Sequence, residues 1–224
     1  MLDFVDMSVM ARYLYAPGSL PLTNLLMKSN IQALETLFSF QSLQVAADNN
    51  QFRLVGGMGE FEKCPVLHLI IDAVSITLAV GGARSDNDRI YQELLRFLTQ
   101  IDSKKRMENP ALYTMTYQTQ STVKLSVPFE RLLADKFIGF LKSKKDLLRP
   151  NSSSSAEFSL SNLSFQVKYT SPGTTFTFLP KVLTFEPRAG SDPNENLYYV
   201  MTPTDSDAHR KIVEEFEIAM NEVH

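Results

Sequence analysis

The chain has 224 residues, of which 44% are hydrophobic, 21% charged and 10% aromatic. This composition is typical of a folded globular protein and excludes the disordered and collagen-like classes. The formal net charge is −3, so no overall electrostatic attraction draws the chain to nucleic acid or anionic lipid. One cysteine and three histidines are too few for an intramolecular disulfide or for a structural zinc site built on several such ligands.

The N-terminal residues and the hydropathy pattern together predict where the protein resides. The first residues include acids in place of a basic segment, and no apolar core with a cleavage site follows them. No apolar run approaches the roughly 20 residues that cross a bilayer. We therefore expect an intracellular, cytoplasmic protein without a signal peptide or a transmembrane segment.

The first half of the chain predicts strands followed by a strong helix. Residues 1–28 are apolar without a clear period and predict a helix or strand that leads into a loop. Two apolar segments flank Asp48-Asn49-Asn50, a sequence that favours a hairpin turn. The sequence Ser85-Asp86-Asn87-Asp88 supplies capping oxygens at the start of the strongest predicted helix. The predicted elements are a helix near 22–39, strands over 41–47, 51–55, 66–71 and 74–80, and a helix over 85–102.

The second half opens with a long alternating strand. Apolar residues of one parity (Tyr113, Met115, Tyr117, Val123, Leu125 and Val127) face polar residues of the other, which predicts one buried and one solvent-exposed face. Pro128 suits the first position of a helix that ends in basic residues. Further predicted elements are strands over 158–160, 163–169, 174–178, 182–185 and 197–201, and a last helix capped by Asp205-Ser206-Asp207.

These elements predict an α+β fold with an antiparallel sheet, or sheets, and helices packed on one face. The polar segment Asn151–Ser155 is the best candidate for a boundary. It divides an N-terminal α+β lobe over 1–150 from a C-terminal β-rich lobe over 151–224 that ends in a helix. The two lobes could equally form one continuous domain.

The two halves also share a short sequence pattern. Aligning Ser85-Asp86 with Ser206-Asp207 also pairs Arg89 with Arg210 and Glu93 with Glu214. The pattern has two interpretations, an internal duplication and the common chemistry of helix N-termini, and the second is favoured.

Candidate catalytic residues are few, and each has a structural explanation. Cys64 and His68 lie four residues apart on a predicted strand, where a buried thiol and a hydrogen-bonded histidine are the usual outcome. Asp72 follows a buried strand, and with Asp86 and Asp88 it could form an acidic cluster for a divalent cation. The two later aspartates, however, stand where a helix N-terminus needs them. We therefore predict no catalytic, metal or cofactor site, and no small-molecule ligand.

Two surfaces are candidates for interaction. The polar face of the long strand is rich in Thr and Gln, which suits a protein partner or self-association. The basic end of the helix over 128–149 could contact a membrane surface or a phosphate backbone, although basic residues also complement a helix C-terminus. The interaction surface comprises Thr114, Thr116, Gln118, Gln120 and Thr122, and the basic patch comprises Lys142, Lys144, Lys145 and Arg149.

These features predict a non-enzymatic protein-interaction or assembly module that acts within a larger complex. The first alternative is a peripheral membrane or nucleic-acid-contacting protein that uses the basic patch. The second is an enzyme with an unrecognised carboxylate site near Asp72.

Overall fold

A computed structural model of the chain describes residues 2–40, 44–45, 51–54, 59–108, 110–126, 128, 140, 161–167, 181–192 and 195–222. In the first half the elements are β1 (Asp3–Tyr15), α1 (Leu22–Leu25), α2 (Lys28–Leu37), β2 (Gln44–Val45), β3 (Gln51–Leu54), β4 (Gly59–Phe61), β5 (Cys64–Asp72), β6 (Ser75–Gly81), α3 (Arg84–Ile101) and a 3-10 turn (Arg106–Glu108). In the second half they are β7 (Leu112–Lys124), β8 (Leu163–Val167), β9 (Lys181–Pro187), β10 (Leu197–Thr202) and α4 (Ser206–Glu222). The chain forms two compact units.

The larger unit consists of Asp6–Ser121 and Thr202–His209. Its strands lie in the order β2-β3-β5-β6-β1-β7, and β4 also pairs with β5. The pairs of known register are antiparallel, with Ile71 opposite Ile76 and Met10 opposite Ala79. The predicted hairpin is present, because β2 pairs with β3 and β3 pairs with β5.

Helix α3 supplies much of the core of the larger unit. Its apolar residues recur at helical spacing and pack against alternating residues of β1, β5 and β6. Burying a Leu or Ile side chain completely stabilises a fold by about 1.5–3 kcal/mol relative to exposure. The fully buried side chains of this cluster include Ile90, Leu94 and Leu98 of α3, Ile76, Leu78 and Val80 of β6, and Leu69 and Ile71 of β5.

The smaller unit draws on Met1–Val5, Thr122–Met201 and Arg210–His224. Its strands β10, β9 and β8 are antiparallel, with Val200 opposite Phe185 and Phe185 opposite Leu163. The ring of Phe185 stacks on that of Phe216 in α4 at 4.0 Å between centroids. A second apolar cluster therefore forms the core of this unit, and it includes Val123, Leu125, Val200, Val213 and Met220.

The predicted combination of helices with an antiparallel sheet is confirmed. The predicted start of α3 is wrong in detail, because the helix begins at Arg84 and follows Ala83. The capping oxygen comes from Asp86, whose Oδ2 accepts a hydrogen bond from the Ala83 N–H at 3.0 Å. Gly82 precedes this turn with φ of +132°, and a Cβ there would lie 2.6 Å from Asp86 Oδ2, so the position requires glycine.

Both halves of the chain run through a similar order of elements. In the first half the sheet order is β5-β6-β1 and α3 follows β6; in the second it is β9-β10-β7 and α4 follows β10. The hydrogen bond from Tyr15 N to Val74 O, 2.8 Å, has a counterpart from Leu125 N to Asn196 O, 3.0 Å. Matching the first residues of α3 and α4 shifts the sequence alignment by one position and pairs Asn87 with His209.

Several predictions fall on residues outside those described. They are the helix over 128–149, apart from Pro128 and Phe140, the boundary at Asn151–Ser155, and the strands over 158–160 and 174–178. The division into lobes over 1–150 and 151–224 depends on that boundary, so it stays a prediction.

Candidate functional site

The start of β7 places large apolar side chains in contact with solvent. Tyr113 is 70% exposed, Leu112 45% and Met115 38%. Scattered single exposed apolar residues are normal on soluble proteins, whereas a contiguous group is a feature of binding surfaces. We name Leu112, Tyr113 and Met115 the β7 apolar patch; Tyr113 and Met115 share one face of the strand and Leu112 belongs to the other.

The polar face predicted for this strand is less accessible than expected. Thr114, Thr116, Gln118 and Gln120 are half-buried, and Thr122 is only 4% exposed. The prediction of a solvent-exposed face is therefore wrong for Thr122. The role of these residues in binding a partner stays a prediction.

The opposite face of β7 also departs from the predicted alternation. Tyr113 and Met115 were assigned to the buried face and are exposed, whereas Thr119 and Ser121 are buried. Thr119 is buried because it makes a polar contact near the start of α4, where its Oγ1 donates to the carbonyl of Thr204 at 2.8 Å. Hydrogen bonding, which a hydrophobic period does not detect, buries these two hydroxyls.

His209 forms the centre of a buried polar cluster at the start of α4. Its side chain has no exposed surface. Nε2 lies 2.7 Å from Ser121 Oγ, and Nδ1 lies 2.9 Å from Thr202 Oγ1. A Ser–His contact of this length occurs in nucleophilic catalysis, but a catalytic serine must reach a substrate and Ser121 is only 1% exposed. The cluster is thus a structural junction of β7, β10 and α4.

Arg84 joins the starts of α3 and α4 in the larger unit. Its guanidinium contacts Asp205 at 3.0 Å and Asp88 at 3.3 Å, and lies 4.9 Å from the centroid of the Tyr117 ring. Its backbone N–H donates to Ser206 Oγ at 3.0 Å. Burial and the hydrogen bond from the Tyr117 hydroxyl to Asp88 raise the pKa of Tyr117 to about 12. A small open cavity of about 260 Å³ adjoins this cluster.

Replacing Arg84 tests how much this cluster stabilises the fold. We expect Arg84→Gln to lower the free energy of unfolding by only about 1 kcal/mol, because Arg84 is partly exposed and solvent screens its ion pairs. The difference from the wild type should shrink in 1 M NaCl. Urea unfolding at low and high salt measures it, with Lys211→Gln on the exposed face of α4 as the control. A salt-independent difference would show that packing on Tyr117 dominates.

An open groove lies between α2 and α3 in the larger unit. Its volume is about 540 Å³, within the usual size of small-molecule sites, and Ala33, Leu37 and Phe97 give it an apolar part. Glu93 and Arg96, which form an ion pair, are among its polar lining residues. The charges on this rim therefore compensate each other.

The aspartates that suggested a carboxylate site have structural roles. Asp72 Oδ1 accepts hydrogen bonds from the Val74 and Ser75 N–H groups at 2.8 and 2.6 Å, and its Oδ2 accepts one from Ser75 Oγ. This carboxylate thereby shapes the turn between β5 and β6. Among the described residues, no group of three or more His, Cys, Asp or Glu side chains could hold a metal ion.

Cys64 and His68 occupy different environments on β5. Cys64 is buried, and its thiol donates to the Gly81 carbonyl at 3.2 Å. Burial raises the pKa of the Cys64 thiol, so less of the reactive thiolate forms. His68 is half-buried and follows a register shift between β5 and β6.

The basic patch of Lys142, Lys144, Lys145 and Arg149 lies outside the described residues. Within the part of the chain that is described, no helix has the length and apolar character needed to cross a membrane. Contact of the basic patch with lipid or nucleic acid remains a hypothesis from the sequence.

Comparison with known proteins gives no family for this chain. No protein-family model matches it, and no curated protein is significantly similar in sequence. Function must therefore be argued from the surfaces and side-chain clusters described above.

Sequence analysis missed the two most distinctive features, the β7 apolar patch and the buried His209. Tyr113 and Met115 have the same alternation as buried strand residues, so the pattern gives no sign of their exposure. The position of His209 does leave a signal, because it is the fourth residue of α4 as Asn87 is of α3. Aligning the helices on Ala83 and Asp205 would have found it.

Proposed function

We propose that this protein is a non-enzymatic interaction module that binds a protein partner, or a second copy of itself, through the β7 apolar patch. The observation that carries the proposal is the exposure of Leu112, Tyr113 and Met115 within four consecutive residues of one strand. Tyrosine and methionine are enriched at protein interfaces, and tyrosine is a frequent source of binding energy. An interface there would remove this apolar surface from water.

The surroundings of the patch support a protein partner. Thr114 and Thr116 share the face of Leu112 and are half-buried, which suits the polar part of an interface. The neighbouring strand β1 carries Arg12, which is exposed. Arginine is another residue enriched at binding hot spots.

The proposal includes three finer expectations. Helices cover one face of the sheet and leave other surfaces for partners, the chain acts within a larger complex, and it works in the cytoplasm. Each follows from the composition and patterning of the sequence, and the partner identified below would test the last two.

Site-specific photocross-linking tests the patch. We expect p-benzoylphenylalanine in place of Tyr113 to give a discrete cross-linked species on irradiation of cells that express the chain at its native level. The same probe in place of Ile218, which is 58% exposed on α4, is the matched control. Mass spectrometry then identifies the partner, a second copy included.

Mutation of the patch supplies the second arm of the test. With the identified partner, we expect Tyr113→Ala to weaken binding at least tenfold, because hot-spot tyrosines often contribute 2 kcal/mol or more. Its thermal unfolding midpoint should stay close to that of the wild type, since Tyr113 is exposed. Equal cross-linking from positions 113 and 218, or a monomeric chain without any adduct, would refute the proposal.

A further inference from the structure

The hydrogen bonds of His209 depend on its protonation state. In a neutral imidazole one ring nitrogen donates and the other accepts. Since the two nitrogens lie 2.7 and 2.9 Å from the hydroxyls of Ser121 and Thr202, one of these hydroxyls must donate to the ring. Protonation would turn both nitrogens into donors, and the donating hydroxyl would have to rotate away.

The three residues of this cluster stand at particular points along the chain. Ser121 and His209 are the last residues of the two segments that make up the larger unit, and Thr202 is the first residue of the second segment. At each of these residues the chain passes to or from the smaller unit. The two hydrogen bonds of the imidazole therefore join β7, β10 and the first turn of α4 within the larger unit.

The first half of the chain uses an amide at the matching position. Asn87 is the fourth residue of α3 and, like His209, has no exposed surface. Its side chain bonds the hydroxyl of Tyr13 and the carbonyls of Val9 and Leu78, on β1 and β6. An amide stays uncharged and keeps its donors and its acceptor at every ordinary pH. The matching position of α4 carries an imidazole, whose hydrogen bonds depend on its protonation state.

Charged groups on the surrounding elements form pairs of their own. Arg84 of α3 contacts Asp88 of the same helix and Asp205 before α4, and Tyr117 of β7 donates to Asp88. Carboxyl groups ordinarily titrate near pH 4, whereas histidine does so at about pH 6.5. Between pH 7.5 and 5.5 the ordinary values make histidine the side chain whose charge changes, and not the carboxyl groups. Three exposed charged residues lie on the first two turns of α4, namely Asp207, Arg210 and Lys211.

We infer that His209 is a pH-sensitive lock within the larger unit, where it holds α4 to β7 and β10. When neutral, it holds β7 and the end of β10 to α4 through Ser121 and Thr202. In mildly acidic solution a proton from solvent binds the accepting nitrogen, and the facing hydroxyl must turn from donor to acceptor. The imidazolium then carries a positive charge in a buried site, where a charge is unfavourable. The attachment of α4 to β7 and β10 is then weakened.

Hydrogen exchange of the full chain tests the lock. We expect a drop from pH 7.5 to 5.5 to speed amide opening in β10 and α4 at least tenfold, after correction for intrinsic exchange rates. His209→Asn, which copies the group present at Asn87, should abolish this pH dependence. His68→Asn, at a half-buried histidine of β5, should retain it. Amides of β5 and β6 should be little affected in each case.

The same pH dependence in wild type and His209→Asn would overturn the inference. A second measurement does not depend on that variant folding correctly, namely NMR titration of the imidazole in the wild-type chain. The His209 ring signals should shift over the pH range in which β10 and α4 lose protection. Unchanged ring signals across that range would equally refute the lock.

Discussion

Replacement of Asn87 by alanine is expected to lower the free energy of unfolding by about 3–5 kcal/mol, because three buried groups would lose their partner. The side-chain oxygen accepts from the Tyr13 hydroxyl at 3.0 Å, and Nδ2 donates to the carbonyls of Leu78 and Val9 at 3.0 and 3.2 Å. Tyr13 itself is buried and its ring stacks on that of Tyr91, with 3.6 Å between the ring centroids. Its hydroxyl therefore could not easily form a replacement hydrogen bond with water. Urea unfolding at pH 7 measures the loss.

Two further variants separate hydrogen bonding from helix propensity. Gln92→Ala, at an exposed position of α3, should change stability by less than about 0.5 kcal/mol. Asn87→Asp keeps the shape but places an acceptor where Asn87 donates to carbonyls, so it should be at least as harmful as Asn87→Ala at pH 7. If Asn87→Ala were no worse than Gln92→Ala, Asn87 would not join β1 and β6 to α3.

Replacement of Asp102 by alanine should lower the free energy of unfolding by about 3 kcal/mol at pH 7. Asp102 ends α3, and its side chain has no exposed surface. Oδ2 accepts from the Met107 N–H at 2.9 Å, while Oδ1 accepts from the Lys104 N–H and from Arg106. Without these bonds the loop into the 3-10 turn would leave donors unsatisfied.

The stabilisation by Asp102 should depend on pH. Burial of this carboxyl favours the protonated form, but hydrogen bonds from the Met107 N–H, Arg106 and the Lys104 N–H outweigh it, so its pKa lies below the ordinary value. The stabilisation is complete above the unfolded-state pKa of about 4 and is lost as the pH falls through the lower folded-state pKa. The difference between wild type and Asp102→Ala should therefore shrink below about pH 4.

A comparison of unfolding curves at pH 7 and pH 3 measures this effect. Asp207→Asn is the matched control, because Asp207 is exposed in the first turn of α4. It should cost at most about 1 kcal/mol through the helix dipole. A difference for Asp102→Ala that stayed constant down to pH 3 would mean that packing, and not the ionised carboxylate, accounts for the loss.

The elements of the fold could be predicted where a hydrophobic period controls them. Leu94 and Leu98 recur at helical spacing and lie in the core, and the apolar run into Ile71 forms a buried strand. The start of α3 was less predictable, because Ser85 offers a hydroxyl but Asp86 supplies the oxygen that caps the turn. Several side chains can satisfy the same free N–H groups, and tertiary contact decides among them.

For the candidate surface, the sequence predicted the strand but not the exposed residues. The sequence identified β7 but assigned the exposed face to the residues from Thr114 to Thr122, whereas the most exposed side chains are Tyr113 and Leu112. Alternation reports two faces of a strand and not which elements cover them. The buried contacts of Thr119 and Ser121 involve residues more than 80 positions away, beyond the reach of any local pattern.

The contact of Ser206 Oγ with the Arg84 N–H has a consequence for the synthesis of the chain. These two residues are 122 positions apart, and Asp205, which pairs with the Arg84 side chain, is equally remote. A ribosome makes about 5–20 residues per second, so α3 is complete for several seconds or more before its partners emerge. During that interval the first turn of α3 lacks Asp205 and Ser206, and the buried hydroxyls of Thr119 and Ser121 lack Thr204 and His209. The larger unit can therefore complete its hydrogen bonds only after almost the whole chain has been translated.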